Sequence, residues 1–93
     1  MNRDEMIKTL EIKYPKMKVR TSEQFDGSPN GIWVSGENGD IAKDGFALFN
    51  YYAEDYKEVR YVFGIHKEIR EILDAGGWYC EWYDAGTILI YSE

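Results

Sequence analysis

The sequence predicts an α+β fold: one mainly antiparallel sheet, elements in the order α-β-β-β-β-α-β-β, and both helices on one face. Two stretches repeat apolar residues at helical spacing, one closing at Pro15 and the other at Gly76-Gly77. Several short runs alternate apolar and polar residues or are rich in aromatic and β-branched ones, as strands are. Clusters of Gly, Asn, Asp and Pro divide these runs at turn-like intervals. Strands and helices in that mixture pack as a sheet covered by helices, and 93 residues make one domain, 1–93.

Asn2 followed by Glu5 has the form of a capping box, and Met6, Ile7, Leu10 and Tyr14 supply the apolar stripe of a first helix. In Lys16-Met17-Lys18-Val19-Arg20-Thr21 the apolar and cationic residues alternate, predicting a strand with one wet face. The segment 26–31 is a loop by composition, and Ile32-Trp33-Val34 is a second strand. Asn38-Gly39 and Lys43-Asp44-Gly45 mark tight turns, and 46–52 reads as a third strand.

Residues 53–63 fit two patterns. As a strand, Val59, Tyr61 and Phe63 alternate with Glu58, Arg60 and Val62; as a helix, Tyr56, Val59 and Phe63 share a face, but Gly64 then falls inside it at a cost of about 1 kcal/mol. The strand is preferred, extended over 57–63 and paired with 46–52 through a turn at Ala53-Glu54-Asp55, with a helix beginning near Ile65. Ile65, Ile69, Ile72 and Leu73 define that helix, and Gly76-Gly77 ends it. A final hairpin joins 78–83 to 87–91 through Asp84-Ala85-Gly86, with Gly86 expected in the left-handed position.

Composition narrows the function. Residues 1–20 hold six cations against three acids, a balance of +3, whereas 21–93 hold five against fourteen, a balance of −9. An acidic body argues against direct nucleic-acid binding, which needs cations to neutralise phosphate. No run approaches the length of a membrane span, and Met1-Asn2-Arg3-Asp4-Glu5 lacks the apolar segment of a signal peptide. Cys80 is the single cysteine, which suits a reducing cytoplasm.

Chemistry-bearing patterns are sparse. One His and one Cys cannot make a zinc site, and Asn38, Asp40 and Asp44 lack the closing Glu of a calcium loop, so no metal and no cofactor is expected. His66 and Cys80 are the minimum of a nucleophilic pair, yet nothing in their spacing supports one, and no catalytic residue is expected.

Aromatic content is the unusual feature: eight Tyr, four Phe and three Trp exceed what a thin core of this size holds. Exposed Tyr and Trp favour interfaces, so Trp33, Tyr51, Tyr52, Tyr79 and Trp82 are the candidate binding residues. Lys16, Lys18, Arg20 and Arg60 are candidates for contact with phosphate or an acidic partner, although a cationic face also protects an edge strand from aggregation.

In the last hairpin Gly77-Trp78 precedes Glu81-Trp82-Tyr83-Asp84-Ala85-Gly86-Thr87. This run of about a dozen residues resembles the C-terminal hairpin of short uncharacterised proteins encoded by bacteriophages. The resemblance implies a small acidic viral protein in the host cytoplasm that inhibits a host or defence protein. The expectation is therefore a non-catalytic protein-binding domain, with self-association into a homodimer as one use of the aromatics. Two alternatives stand beside it: a homo-oligomer that binds or sequesters a small molecule such as a nucleotide, and a small Cys/His enzyme.

Overall fold

The computed structural model describes residues 1–36, 40–53 and 60–93. Helix α1 (Arg3–Lys13) starts at the expected capping box: Asn2 Oδ1 accepts from the Glu5 amide at 2.9 Å, and the Asn2 amide donates to the Glu5 carboxylate at 3.0 Å. The next elements are β1 (Val19–Thr21), a short helix α2 (Ser22–Asp26) and β2 (Ile32–Ser35). A two-stranded hairpin, β3 (Tyr61–Val62) and β4 (Ile65–His66), leads into α3 (Lys67–Gly76), and β5 (Trp78–Asp84) and β6 (Thr87–Ser92) complete the chain. The main sheet is antiparallel in the order β1-β2-β6-β5.

The α+β class is as the sequence predicts, and register explains the layering. Val19, Val34, Ile88 and Trp82 lie side by side across the sheet, as do Thr21, Ile32, Ile90 and Cys80 in the next row. These residues face α1 and α3, whose Met6, Leu10, Ile69 and Leu73 join Ile32, Val34, Ile88 and Ile90 in one buried cluster. Each fully buried aliphatic side chain of this kind contributes roughly 1.5–3 kcal/mol. The opposite face carries the row Arg20, Trp33, Leu89 and Glu81. There α2 lays Phe25 on Trp33, so this third helix covers the side that the two expected ones leave open.

Several local expectations need correction. Residues 46–52 do not form a strand: among the described residues Ala47 bridges Ile41 alone, and Phe49 bridges Ile65 alone. Leu48 and Phe49 are consecutive and both buried, so the side chains do not alternate. Asx-type bonds from Asp44 to the Phe46 amide and from Asn50 to the Tyr52 amide turn the chain at either end. Tyr61–Val62 is extended as predicted but pairs with Ile65–His66, so α3 begins at Lys67 rather than near Ile65. Gly86 is not left-handed; its amide is held by the Asp84 carboxylate at 2.9 Å, after a register shift between Trp82 and Asp84. The Asn38-Gly39 turn, the expected turn at Glu54-Asp55 and the start of the 57–63 strand lie outside the described residues. Among the described residues no helix is long and apolar enough to cross a membrane.

One carboxylate ties two of these elements to the loop before β2. Glu23 on α2 accepts from the Asn30 amide at 3.1 Å and pairs with Arg3 of α1 at 2.6 Å. These bonds, the Asn30 amide first, hold its pKa down at about 2. A carboxylate depressed in the fold stabilises it above the ordinary Glu range, about pH 4.3, and that share is lost as pH falls. Melting temperatures of the wild type and Glu23→Gln should therefore differ at pH 6 and converge as pH falls toward about 2. A gap that persists unchanged at the lowest pH would rule out the charged form of Glu23 as its source.

Candidate functional site

The site begins with a two-residue turn. Phe63 and Gly64 join β3 to β4 with φ of +50° and +76°, the sign pattern of the type I′ turn that best fits a tight hairpin. Asn-Gly usually fills such a turn, because bulky residues avoid positive φ. Phe63 does so while 87% exposed, so its ring contributes little burial in return for a strain of about 1–3 kcal/mol.

Neighbouring segments fix this turn from two sides. The Asn50 amide donates to the Gly64 carbonyl at 2.8 Å, and a Cβ on Gly64 would lie 2.4 Å from the Asn50 carbonyl oxygen. From β5, Trp82 Nε1 donates to the Phe63 carbonyl at 2.5 Å. Tyr51 stands edge-on to Trp82 at 5.1 Å between ring centroids, and Tyr52 edge-on to Tyr51 at 5.2 Å. Phe49 backs Trp82 from the core at 6.3 Å. Tyr51, Ala53, Phe63, Gly64 and Trp82 enclose an open recess of about 450 Å³, with Tyr52, itself 80% exposed, in ring contact with Tyr51.

A polar junction positions the segment that carries the two tyrosines. His66 caps α3: its Nδ1 accepts from the Glu68 amide at 2.9 Å, which places the proton on Nε2, and Nε2 donates to the Asp44 carboxylate at 3.0 Å. Asp44 also accepts from the Phe46 amide and from Arg60 Nε. These bonds, the Phe46 amide foremost, hold its carboxyl below the usual range. Glu68 accepts from the Tyr14 hydroxyl at 2.5 Å and the Lys43 amide at 3.0 Å. Burial works to raise the pKa of Glu68, but those bonds outweigh it and the net shift is downward.

The catalytic pair is not assembled in reactive form. Both ring nitrogens of His66 are engaged, and burial pushes the Cys80 thiol up to about 12, leaving it protonated at neutral pH. Among the described residues no group of three or more His, Cys, Asp or Glu stands together to hold a metal ion. The pair Asp40 and Asp44 is taken up by the Lys16 amide and by His66 respectively.

Of the five aromatic candidates, Tyr51, Tyr52 and Trp82 come together at this patch. Trp33 and Tyr79 lie on the outer face of the main sheet, Trp33 stacked on Phe25 at 5.9 Å and Tyr79 beside Tyr91 at 6.2 Å. Trp33 Nε1 is buried with no hydrogen-bond partner among the described residues, next to a cleft of about 380 Å³ lined by Arg20, Gln24, Phe25 and Trp33. The cationic candidates also separate. Lys16 and Lys18 are exposed and Arg20 borders that cleft, whereas Arg60 lies over the Phe46 ring at 3.7 Å and is bonded to Asp44. Sequence reasoning misses Phe63, because its alternation with Val59 and Tyr61 predicts a strand; the available signal is the Phe63-Gly64 dipeptide between Tyr61-Val62 and Ile65-His66.

Compared with protein-family models, curated proteins and solved structures, the chain matches none.

Phe63→Gly should leave folding stability unchanged or raise it by up to about 1 kcal/mol, since relief of the positive φ offsets the added freedom of the unfolded chain. Urea melts check this; a loss beyond about 1 kcal/mol would mean that the ring packs rather than projects.

Proposed function

We propose that this is a non-catalytic protein-binding domain whose docking surface is the patch of Tyr51, Tyr52, Phe63 and Trp82. The observation that carries the reading is Phe63, a large apolar ring held out at 87% exposure by a turn its own backbone disfavours. Strain kept at an exposed side chain is accounted for by what that side chain does outside the fold. Tyr and Trp around it supply broad contact area at low entropic cost, which is the composition of interface hot spots. The raised Cys80 thiol and the engaged His66 ring favour binding over chemistry. The likeness of the last hairpin to short phage-encoded proteins favours a host or defence protein as the partner, and inhibition as the outcome.

Pull-down from host lysate with the wild type, Tyr52→Ala and Phe63→Gly tests the proposal. Each variant should weaken capture of the same partner by about 2 kcal/mol or more while its melting temperature stays near that of the wild type. Undiminished capture by both variants would overturn it. Trp82→Ala is the wrong probe, because Trp82 also packs on the core and bonds the turn.

A second reading rests on the outer-face cleft. Arg20 and Gln24 beside stacked Phe25 and Trp33 suit a small planar anion such as a nucleotide. In a melting screen with a nucleotide panel, a rise in the wild type that Arg20→Ala abolishes would support this reading, and no shift with any nucleotide would remove it.

A further inference from the structure

The two edges of the main sheet are unlike. At one edge β1 is three residues long, carries Arg20 at its centre and follows Lys16 and Lys18, a short cationic edge of the kind that discourages pairing. At the other, β5 runs seven residues, Trp78-Tyr79-Cys80-Glu81-Trp82-Tyr83-Asp84, with no Lys, Arg or Pro.

Register shows which of its backbone groups are spent. The Glu93 amide donates to the Gly77 carbonyl at 2.9 Å, so the alternation of an antiparallel ladder makes Tyr79–Tyr91 and Glu81–Leu89 the bonded pairs. Bonds elsewhere in the sheet agree with this phase: Gly36 donates to Gly86 on the β2 side of β6, which leaves Tyr91 and Leu89 directed at β5. Trp78, Cys80 and Trp82 therefore turn their N–H and C=O groups away from β6, and no backbone partner meets them among the described residues.

Beside this edge lies a cleft of about 160 Å³. Its lining includes Cys80 of β5, Leu73 of α3 and Ile65 of the small hairpin, with Arg70 and Asp74 of α3 as its charged members. An edge strand facing a helix across an apolar cleft presents two demands at once. The unpaired ladder groups call for an extended backbone, and the cleft calls for one apolar side chain from it.

We propose that the β5 edge takes up an extended segment of a partner protein as a fifth strand, seating an apolar side chain of that segment between Leu73, Ile65 and Cys80. This rests on the reading of the domain as a protein-binding module and gives the partner segment its chemistry. A second copy of this chain suits the site less well. In a two-fold pairing of β5 with itself, the helix-side residues offered to the cleft are Trp78, Cys80 and Trp82. All three are already committed to the core of their own copy. Such a pairing satisfies the ladder and leaves the cleft unfilled.

The probe is a displayed library of random linear peptides of about ten residues, twice the stretch that Trp78 to Trp82 spans. Selection on the intact protein should enrich peptides with apolar residues at alternate positions. An enriched peptide should slow hydrogen exchange at the amides of Trp78, Cys80 and Trp82. N-methylation of the peptide at alternate residues, those directed at β5, should weaken binding about tenfold, and at the intervening residues hardly at all. No enrichment, or binding that leaves all three amides unprotected, overturns the proposal. Concentration-dependent protection of these amides in the protein alone overturns it in favour of a second copy. The two proposals fail separately. Peptides that depend on Phe63 but leave the amides unprotected remove strand addition alone, whereas protected amides with partner capture indifferent to Phe63→Gly and Tyr52→Ala remove the aromatic surface alone.

Discussion

His66 does two jobs with one ring. Its Nδ1 closes the N-terminus of α3 by accepting the Glu68 amide, and its Nε2 reaches Asp44 on a loop otherwise short of regular structure. Glu68, two residues along, holds the Lys43 amide and the Tyr14 hydroxyl, so the end of α1 and the loop are anchored to the same helix end. The backbone continues the tie: the His66 amide donates to Leu48, and the Asn50 amide donates to Gly64. Between these points Leu48 and Phe49 sink into the core, which leaves Tyr51 and Tyr52 to emerge beside Trp82. The aromatic patch is the exposed end of this polar junction.

The surplus of aromatics divides into populations with different physical roles. Tyr14, Phe49, Tyr61 and Trp78 are buried and do the work of a core. Burial, and then the Glu68 carboxylate, raise the Tyr14 hydroxyl far above its ordinary range, so it stays protonated and donates to Glu68. Phe25, Trp33 and Tyr83 form a second set on the outer face, where α2 and the sheet meet through ring contacts at 5.0 and 5.9 Å. That contact gives a thin domain a partial second layer without a second full helix. A third set, Tyr51, Tyr52, Phe63 and Trp82, gathers at the hairpin.

Much of this architecture is legible in residue order. The Asn2–Glu5 box, the Gly77 cap and the alternation through Trp78, Cys80 and Trp82 are local signals, and each element they predict is present. What escapes is decided at longer range. Residues 46–52 have strand composition, but Asp44 and Asn50 bend the chain with their own side chains, and the β4 hairpin offers it a single bridge. Helix α2 follows Thr21 and ends at a left-handed Gly27, a five-residue element too short to show periodicity. Of the site, the tyrosines and Trp82 were visible as an excess of aromatics. Phe63 was not, because its significance lies in a backbone angle that only the clamp by Asn50 and Trp82 imposes.

The inequality of the two sheet edges bears on how far association can go. Growth of a sheet from molecule to molecule needs a donor edge and an acceptor edge on every copy, so that each addition exposes a fresh template. Here, among the described residues, β5 pairs on one side only, while β1 is three residues long in a cationic stripe. Were a strand to join β5, the short cationic β1 at the far edge would be a poor template for the next. A sheet with two such unequal edges can accept one strand and still terminate, like a monomer with a single polymerisable end.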